Sequence, residues 1–141
     1  MLNSEVLKGA VIVFDLDGTL VDTAPDLIST LNHILMEEGM APLADAAARP
    51  LIGQGARRLL QKGFQAQGQV VSEQRLDDLL DRFIDHYSDH SSDRSRPFPG
   101  VIDALTTLKT AGARLCVCTN KLTRLSVPIL NALGLSPSST A

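Results

Sequence analysis

The feature that most constrains this chain is residues 10–23, which read AVIVFDLDGTLVDT. The first five form a continuous apolar run rich in β-branched side chains, typical of a strand buried on both faces of a sheet. The run ends at Asp15, and Asp17 follows two residues later, so an extended chain would place both carboxylates on one side. Gly18 then permits a sharp turn. The pattern predicts two acids at the carboxyl end of a central strand.

This placement indicates a ligand site, because open α/β sheets bind their ligands at the carboxyl ends of the strands. Paired carboxylates there can hold a hard divalent cation such as Mg2+, which prefers oxygen ligands. One of them could also attack phosphorus as a nucleophile. Asp, Gly and Thr are common turn residues as well, so DxDG alone does not separate a site from a surface turn. The preceding apolar run and the longer string DLDGTLVDT favour the site.

Composition excludes several classes of partner. The chain has 141 residues, 44% hydrophobic and 21% charged, as expected for a soluble globular protein with one core. A net charge of −3 without a basic run gives no general attraction to nucleic acid or anionic membranes. No stretch approaches the roughly 20 apolar residues of a membrane span, and the first ten residues lack a secretory signal pattern, so we expect a cytoplasmic protein. Cys116 and Cys118 alternate within one apolar strand and are interpreted as reduced.

Helical patterns fill most of the remaining chain. The strongest follows Ser72, where apolar residues recur at steps of three and four. The aspartates of that segment surround the helix with arginines among them, so we interpret them as a solvated face and not as a metal site. The last helix is expected to start after Lys121, and because Pro128 cannot lie deep inside a helix, its regular part is expected to begin near Ser126. The predicted helices cover about 25–38, 43–49, 56–66, the segment after Ser72, 101–110 and the segment after Ser126.

A second buried strand is predicted near the end of the chain. Residues 91–100, SSDRSRPFPG, are polar and proline-rich and are interpreted as a linker that returns to the first domain. The helix 101–110 follows, and then the apolar run 113–118, which ends at Thr119 and Asn120. If these two buried runs are neighbours in one parallel sheet, their carboxyl ends meet and Asp15 and Thr119 lie at the same edge.

The opening motif and this order of elements resemble the haloacid dehalogenase superfamily of phosphatases, and phosphoglycolate phosphatases are the most similar. The resemblance runs from about residue 10 to residue 135. It implies an α/β fold with an incomplete Rossmann-like parallel sheet core and a helical cap inserted after the first strand. Residues 1–21 and 96–141 would form the partial core, and residues 22–95 the cap.

The resemblance also implies roles for individual residues. Asp15 would be the nucleophile that forms an aspartyl-phosphate, while its other oxygen helps to bind Mg2+. Asp17 would be the general acid and then the general base, and its backbone carbonyl would also bind the metal. Gly18, Thr119 and Asn120 would bind the substrate phosphate, with the Thr119 hydroxyl holding a phosphoryl oxygen.

Two further motifs of this superfamily have no counterpart in the sequence. One is a lysine downstream of the second motif, and the other is an acidic pair after a later strand. The last acidic residue here is Asp103, and the last lysine is Lys121, which we do not expect to substitute because TNK occurs in relatives that also have the later lysine. The chain is therefore interpreted as the front portion of such a protein, and a natural truncation, a fragment and a sequence error all remain open. The first strand would then keep an unpaired edge, which favours a homodimer or a swapped assembly.

Two functional hypotheses from different classes follow. The first is an Mg2+-dependent phosphomonoester hydrolase that acts on a small phosphorylated metabolite. The second is a truncated, catalytically inactive remnant that acts at most as a binding or assembly module. A dehalogenase fits poorly because Asp17 keeps the acid–base position of phosphatases. A phosphomutase remains an alternative, although mutases of this superfamily often have Val where this chain has Thr19.

Overall fold

A computed structural model describes residues 4–119 and 123–132 of the chain. The chain divides into two compact units. One consists of Met1–Asp22 together with Arg96–Ala141, and the other of Thr23–Ser95. In the described ranges, strands occur only in the first unit, and no helix is long and apolar enough to cross a membrane.

The first unit contains a parallel pair of strands. Strand β1 is Val11–Phe14 and pairs along its length with Arg114–Val117, which is β4 in chain order. Val11 lies opposite Arg114 and Phe14 opposite Val117, so the carboxyl ends of both strands meet at one edge. The predicted α/β class with a parallel sheet is confirmed. The helices of this unit are α1 (Ser4–Leu7), α6 (Val101–Thr110) and α7 (Thr123–Ala132).

A short antiparallel ribbon was missed by the sequence analysis. Strand β2, Val21–Asp22, pairs with β3, Arg96–Pro97, with Asp22 opposite Arg96. The Phe98 amide also donates to the Leu20 carbonyl at 3.2 Å. Each strand has two residues, too few to show an alternating pattern, so the stretch resembled an irregular linker. The ribbon brings together the two places where the chain passes between the units.

The second unit is a helical bundle. Ser72 caps its longest helix, because its Oγ accepts a hydrogen bond of 3.2 Å from the Arg75 amide. Thr23 stands at the N-cap of the first helix without a side-chain capping bond. The predicted segment 56–66 matches the observed helix at both ends. The helices are α2 (Ala24–Glu37), α3 (Asp45–Ala48) followed by a 3-10 turn (Arg49–Leu51), α4 (Ala56–Ala66) and α5 (Glu73–His90).

The core of the bundle is formed by the apolar stripes that the sequence predicts. The aspartate-rich face of α5 is exposed throughout, as expected of a solvated surface. His33 of α2 is half-buried and stacks on His86 of α5. The large buried apolar side chains of the three long helices are Leu27, Ile28, Leu31, Ile34, Leu35, Leu59, Leu60, Phe64, Leu76, Leu79, Phe83, Ile84 and Tyr87.

Two predictions about the sheet unit are wrong. The prediction that β1 is buried on both faces fails, because Val11 and Val13 are 59% and 58% exposed. An apolar run reveals what a strand can bury, and it does not reveal whether another element covers it. Helix α7 does start after Lys121, as expected, but it is regular from Thr123 and not from about Ser126, so Pro128 lies in its second turn. The proline removes one backbone hydrogen bond there, and the helix continues past it.

Candidate active site

The acidic loop after β1 is built on a single tight turn. The carbonyl of Leu16 accepts hydrogen bonds from the amides of Thr19, Leu20 and Val21 at 3.3, 3.1 and 3.2 Å. Gly18 has a φ of +75°, a conformation that other residues adopt only with strain. Its amide donates to the Val21 carbonyl at 2.9 Å. Gly18 therefore serves the turn, and its own amide is already used within it.

The two acids of this loop flank a buried leucine. Asp15 is exposed, Leu16 is completely buried and Asp17 is half-buried, so the leucine side chain points inward while both acids remain accessible to solvent. The Leu16 amide donates to Asp15 Oδ1 at 2.8 Å. This bond orients the carboxylate and leaves Oδ2 without a hydrogen-bond partner among the described residues. Sequence reasoning overlooked Leu16, because its role depends on its backbone and on its burial.

The end of β4 brings the second predicted group to the same edge. The Cys118 amide donates to the Phe14 carbonyl at 2.8 Å, which extends the pairing one residue beyond both strands. Asp15 follows Phe14 directly, and the half-buried Thr119 follows Cys118. Both groups thus leave neighbouring strands at the same end. The predicted phosphate ligand Asn120 lies outside the described residues.

The thiols next to this edge are reduced, as predicted. Cys116 is half-buried and Cys118 is exposed, and neither forms a disulfide.

The donors at this edge suit a hard cation. Within residues 4–119 and 123–132, no group of three or more His, Cys, Asp and Glu side chains is arranged to hold a metal ion. The oxygens of Asp15 and Asp17 are nevertheless the kind of ligand that Mg2+ takes. Mg2+ is usually bound through one or two carboxylates and keeps several water ligands. The carboxylate oxygens present therefore fit Mg2+.

Known proteins are similar to this chain in sequence and in fold. Residues 12–138 match the family of haloacid dehalogenase-like hydrolases. The phosphoglycolate phosphatase of Caulobacter vibrioides is 54% identical to this chain, and the alignment covers 93% of this chain and 55% of that protein. The phosphoglycolate phosphatase of Agrobacterium fabrum is 47% identical, and the alignment covers 88% of this chain and 53% of that protein. The crystal structure of a predicted phosphoglycolate phosphatase from Haemophilus somnus 129PT is 28% identical, with a TM-score of 0.82 over 95% of this chain and 61% of that one. The chain thus spans about half the length of the curated relatives that it matches. It belongs to the haloacid dehalogenase-like hydrolases.

Proposed function

We propose that this chain carries the nucleophile and acid–base half of a phosphomonoester hydrolase. The observation that carries the proposal is the placement of Asp15 and Asp17 at the end of β1, with Thr119 at the end of the neighbouring β4. Since its relatives are named phosphoglycolate phosphatase, 2-phosphoglycolate is the first substrate to test. The helical unit Thr23–Ser95 would be the cap that selects the phosphate ester.

The reaction would proceed in two displacements. Oδ2 of Asp15 attacks the phosphorus in line with the leaving oxygen, and Asp17 donates its proton to that oxygen as the P–O bond breaks. The products of this step are the alcohol and an aspartyl-phosphate. Asp17, now a carboxylate, removes a proton from water, which attacks the phosphorus and returns Asp15 as a carboxylate with inorganic phosphate.

The surrounding groups would hold the phosphoryl oxygens. The hydroxyl of Thr119 donates to one oxygen, and Asn120 next to it is a second candidate. Gly18 contributes by keeping the loop free of a side chain, so that phosphate can approach closely. When bound, Mg2+ would be held by the Asp15 carboxylate and the Asp17 carbonyl and would neutralise phosphate charge.

The decisive experiment compares wild type with Asp15→Asn, because the amide keeps the shape but cannot form the acyl-phosphate. Hydrolysis of 2-phosphoglycolate and of p-nitrophenyl phosphate is measured with Mg2+ and with a chelator. Asp78→Asn, an exposed carboxyl on α5, is the matched control. We expect slow, Mg2+-dependent turnover in wild type and in the control, and none in Asp15→Asn. Unchanged turnover in Asp15→Asn would reject the nucleophile.

An assembly module remains the second candidate, and the exposure of Val11 and Val13 on β1 favours it. Each missing electrostatic contact to the transition state costs about 3 kcal/mol of barrier. The sequence has no acidic residue after Asp103, so slow turnover is expected even if the chain is an enzyme. A complete absence of turnover in wild type, together with stable folding, would support the assembly module for the 141-residue chain.

A further inference from the structure

Asp26 is a buried carboxylate that the proposed reaction does not use. It lies in the first turn of α2 and is 2% exposed. Burying a carboxylate is costly unless hydrogen bonds replace its water shell. Here the hydrogen bonds that replace the water come from the last two residues of the helical unit. The amides of Arg94 and Ser95 donate to Oδ2 at 2.9 and 2.8 Å, the Ser95 hydroxyl donates at 2.7 Å, and the Arg94 amide also reaches Oδ1 at 3.1 Å.

Neighbouring bonds hold the same two segments. The Arg94 side chain donates from Nη2 to the Pro25 carbonyl at 3.0 Å. The Thr30 hydroxyl donates to the Asp26 carbonyl at 2.9 Å, which braces the first turn of α2. Asp26 is therefore joined to residues that follow it by 68 and 69 positions in the chain.

These hydrogen bonds lie at the two points where the chain passes between the units. The helical unit begins at Thr23 and ends at Ser95, so Asp26 fastens its first turn to its last residues. Directly outside the unit, the same two segments pair as the ribbon of β2 and β3, with Asp22 opposite Arg96. The two chain passages are thus tied on both sides, by a carboxylate inside the helical unit and by backbone pairing inside the sheet unit.

We propose that Asp26 is a positioning residue that holds the two passages together, so that the pairing of β2 with β3 depends on this carboxylate. Without it, Arg94 and Ser95 would lose their charged hydrogen-bond acceptor on α2, and the pairing of the adjoining ribbon would open more often. With it, the two segments stay joined next to the point where the ribbon begins. The inference does not depend on the proposed catalytic function.

Amide hydrogen exchange on the full chain tests the proposal without requiring turnover. In Asp26→Ala, the Arg94 and Ser95 amides should exchange about tenfold to a hundredfold faster, the range expected for losing hydrogen bonds to a charged acceptor. The Phe98 amide, which donates to Leu20 in the sheet unit, should also exchange several-fold faster. Amides in the middle of α4 should keep their wild-type rates.

Thr30→Val is the matched control. It removes a buried hydroxyl from the same turn of α2 and leaves the carboxylate in place, so the Phe98 amide should exchange at the wild-type rate. If Asp26→Ala does not fold, Asp26→Asn and Ser95→Ala carry the same comparison, since each weakens only part of the bonding.

Three outcomes would overturn this role of Asp26. Faster exchange at Arg94 and Ser95 with an unchanged Phe98 amide would confine the bond to local structure. Equal acceleration in α4 would reduce Asp26 to a general contributor to stability. An equal effect of Thr30→Val on the Phe98 amide would assign the coupling to the helix turn and not to the carboxylate.

Discussion

Leu16 lies fully buried between Asp15 and Asp17, and its backbone holds the acidic loop in two ways. Its amide orients the Asp15 carboxylate, and its carbonyl closes the turn that follows. Burying a leucine side chain contributes about 1.5–3 kcal/mol, which offsets part of the entropy lost when the loop is ordered. The burial of Leu16 therefore helps to position the carboxylates of Asp15 and Asp17.

Asp17→Asn tests the acid–base role through the leaving group. We expect turnover of 2-phosphoglycolate to fall by about 10²–10⁴-fold, the usual cost of losing general acid–base catalysis. The first step with p-nitrophenyl phosphate should suffer less, because nitrophenolate leaves without a proton. The measurement is kcat/KM for both esters with wild type and variant. Equal losses for the two esters would argue that Asp17 binds metal or supports the loop, and does not act as the acid.

At this scale the sequence predicts positions better than contacts. Asp15 and Thr119 could be placed at one sheet edge because parallel strands end together. The hydrogen bond from the Gly18 amide to the Val21 carbonyl could not be predicted, because it depends on the backbone conformation of the turn. Asp26 gave no signal at all, since the amides that make it significant lie 68 and 69 residues away.

Helix α4 packs closely against α2 at Gly63. A Cβ at Gly63 would lie 2.7 Å from Cδ1 of Leu31, which is completely buried. Gly63→Ala should gain up to about 1 kcal/mol of helix propensity but lose about 1–3 kcal/mol to overpacking. We expect a net loss of about 1 kcal/mol in the free energy of unfolding, measured by urea denaturation. Gln65→Ala, at an exposed position of α4, should change it by less than about 0.5 kcal/mol. Stabilisation by Gly63→Ala would show that Leu31 can move aside.

Three histidines link α2 and α5 and predict a pH dependence of the helical unit. The rings of His33 and His86 stack with centroids 4.0 Å apart, and those of His86 and His90 with centroids 4.5 Å apart. Burial, and then the positive charges of His33 and His90, lower the pKa of His86, while Glu37 and Asp89 oppose the shift.

Because the pKa of His86 is lower in the folded state, the unfolded chain takes up this proton first. The contribution of His86 to stability is thus present above its ordinary value of 6.5 and is lost as pH falls below it. Urea denaturation at pH 7.5 and 5.0 should show a smaller loss of stability for His86→Gln than for wild type. Glu37, whose pKa is lowered chiefly by its bond to Arg82, loses its contribution only below about pH 4.5, outside this window. Identical pH profiles would mean that the stack does not affect folding.

The long helices were predicted well, because apolar residues that recur at helical spacing over several turns are compatible with few other structures. Helix α4 agrees at both ends, and α6 was placed correctly as Val101–Thr110. The ribbon of β2 and β3 was missed because two residues carry no periodicity. The regular part of α7 was placed too late, since a proline forbids only one backbone bond and not the turns on either side of it.

For the whole molecule, composition and motif order were sufficient to predict an α/β fold of this family. They were not sufficient to predict what covers each surface. Val11 and Val13 belong to the most strand-like run of the sequence, yet both are more than half exposed. Burial depends on which elements pack against a strand, and that information is not contained in the strand itself.

The exposure of β1 leads to a prediction about association. One edge of β1 pairs with β4, and among the described residues no strand pairs with the other edge. An unpaired edge with exposed valines is a template for pairing with another chain. We therefore expect the 141-residue chain to associate in a concentration-dependent way, detectable by light scattering and sedimentation.

Val13→Lys tests whether β1 is the contact, because a charge on an edge strand opposes strand pairing. It should weaken association at least about tenfold, since both copies of a paired edge would bring a lysine to the interface. Val70→Lys places the same charge at a position 92% exposed in the helical unit and should leave association unchanged. A wild-type chain that stays monomeric at all accessible concentrations would exclude self-association through β1, and with it the assembly module. An equal effect of Val70→Lys would mean that net charge, and not the edge of β1, controls association.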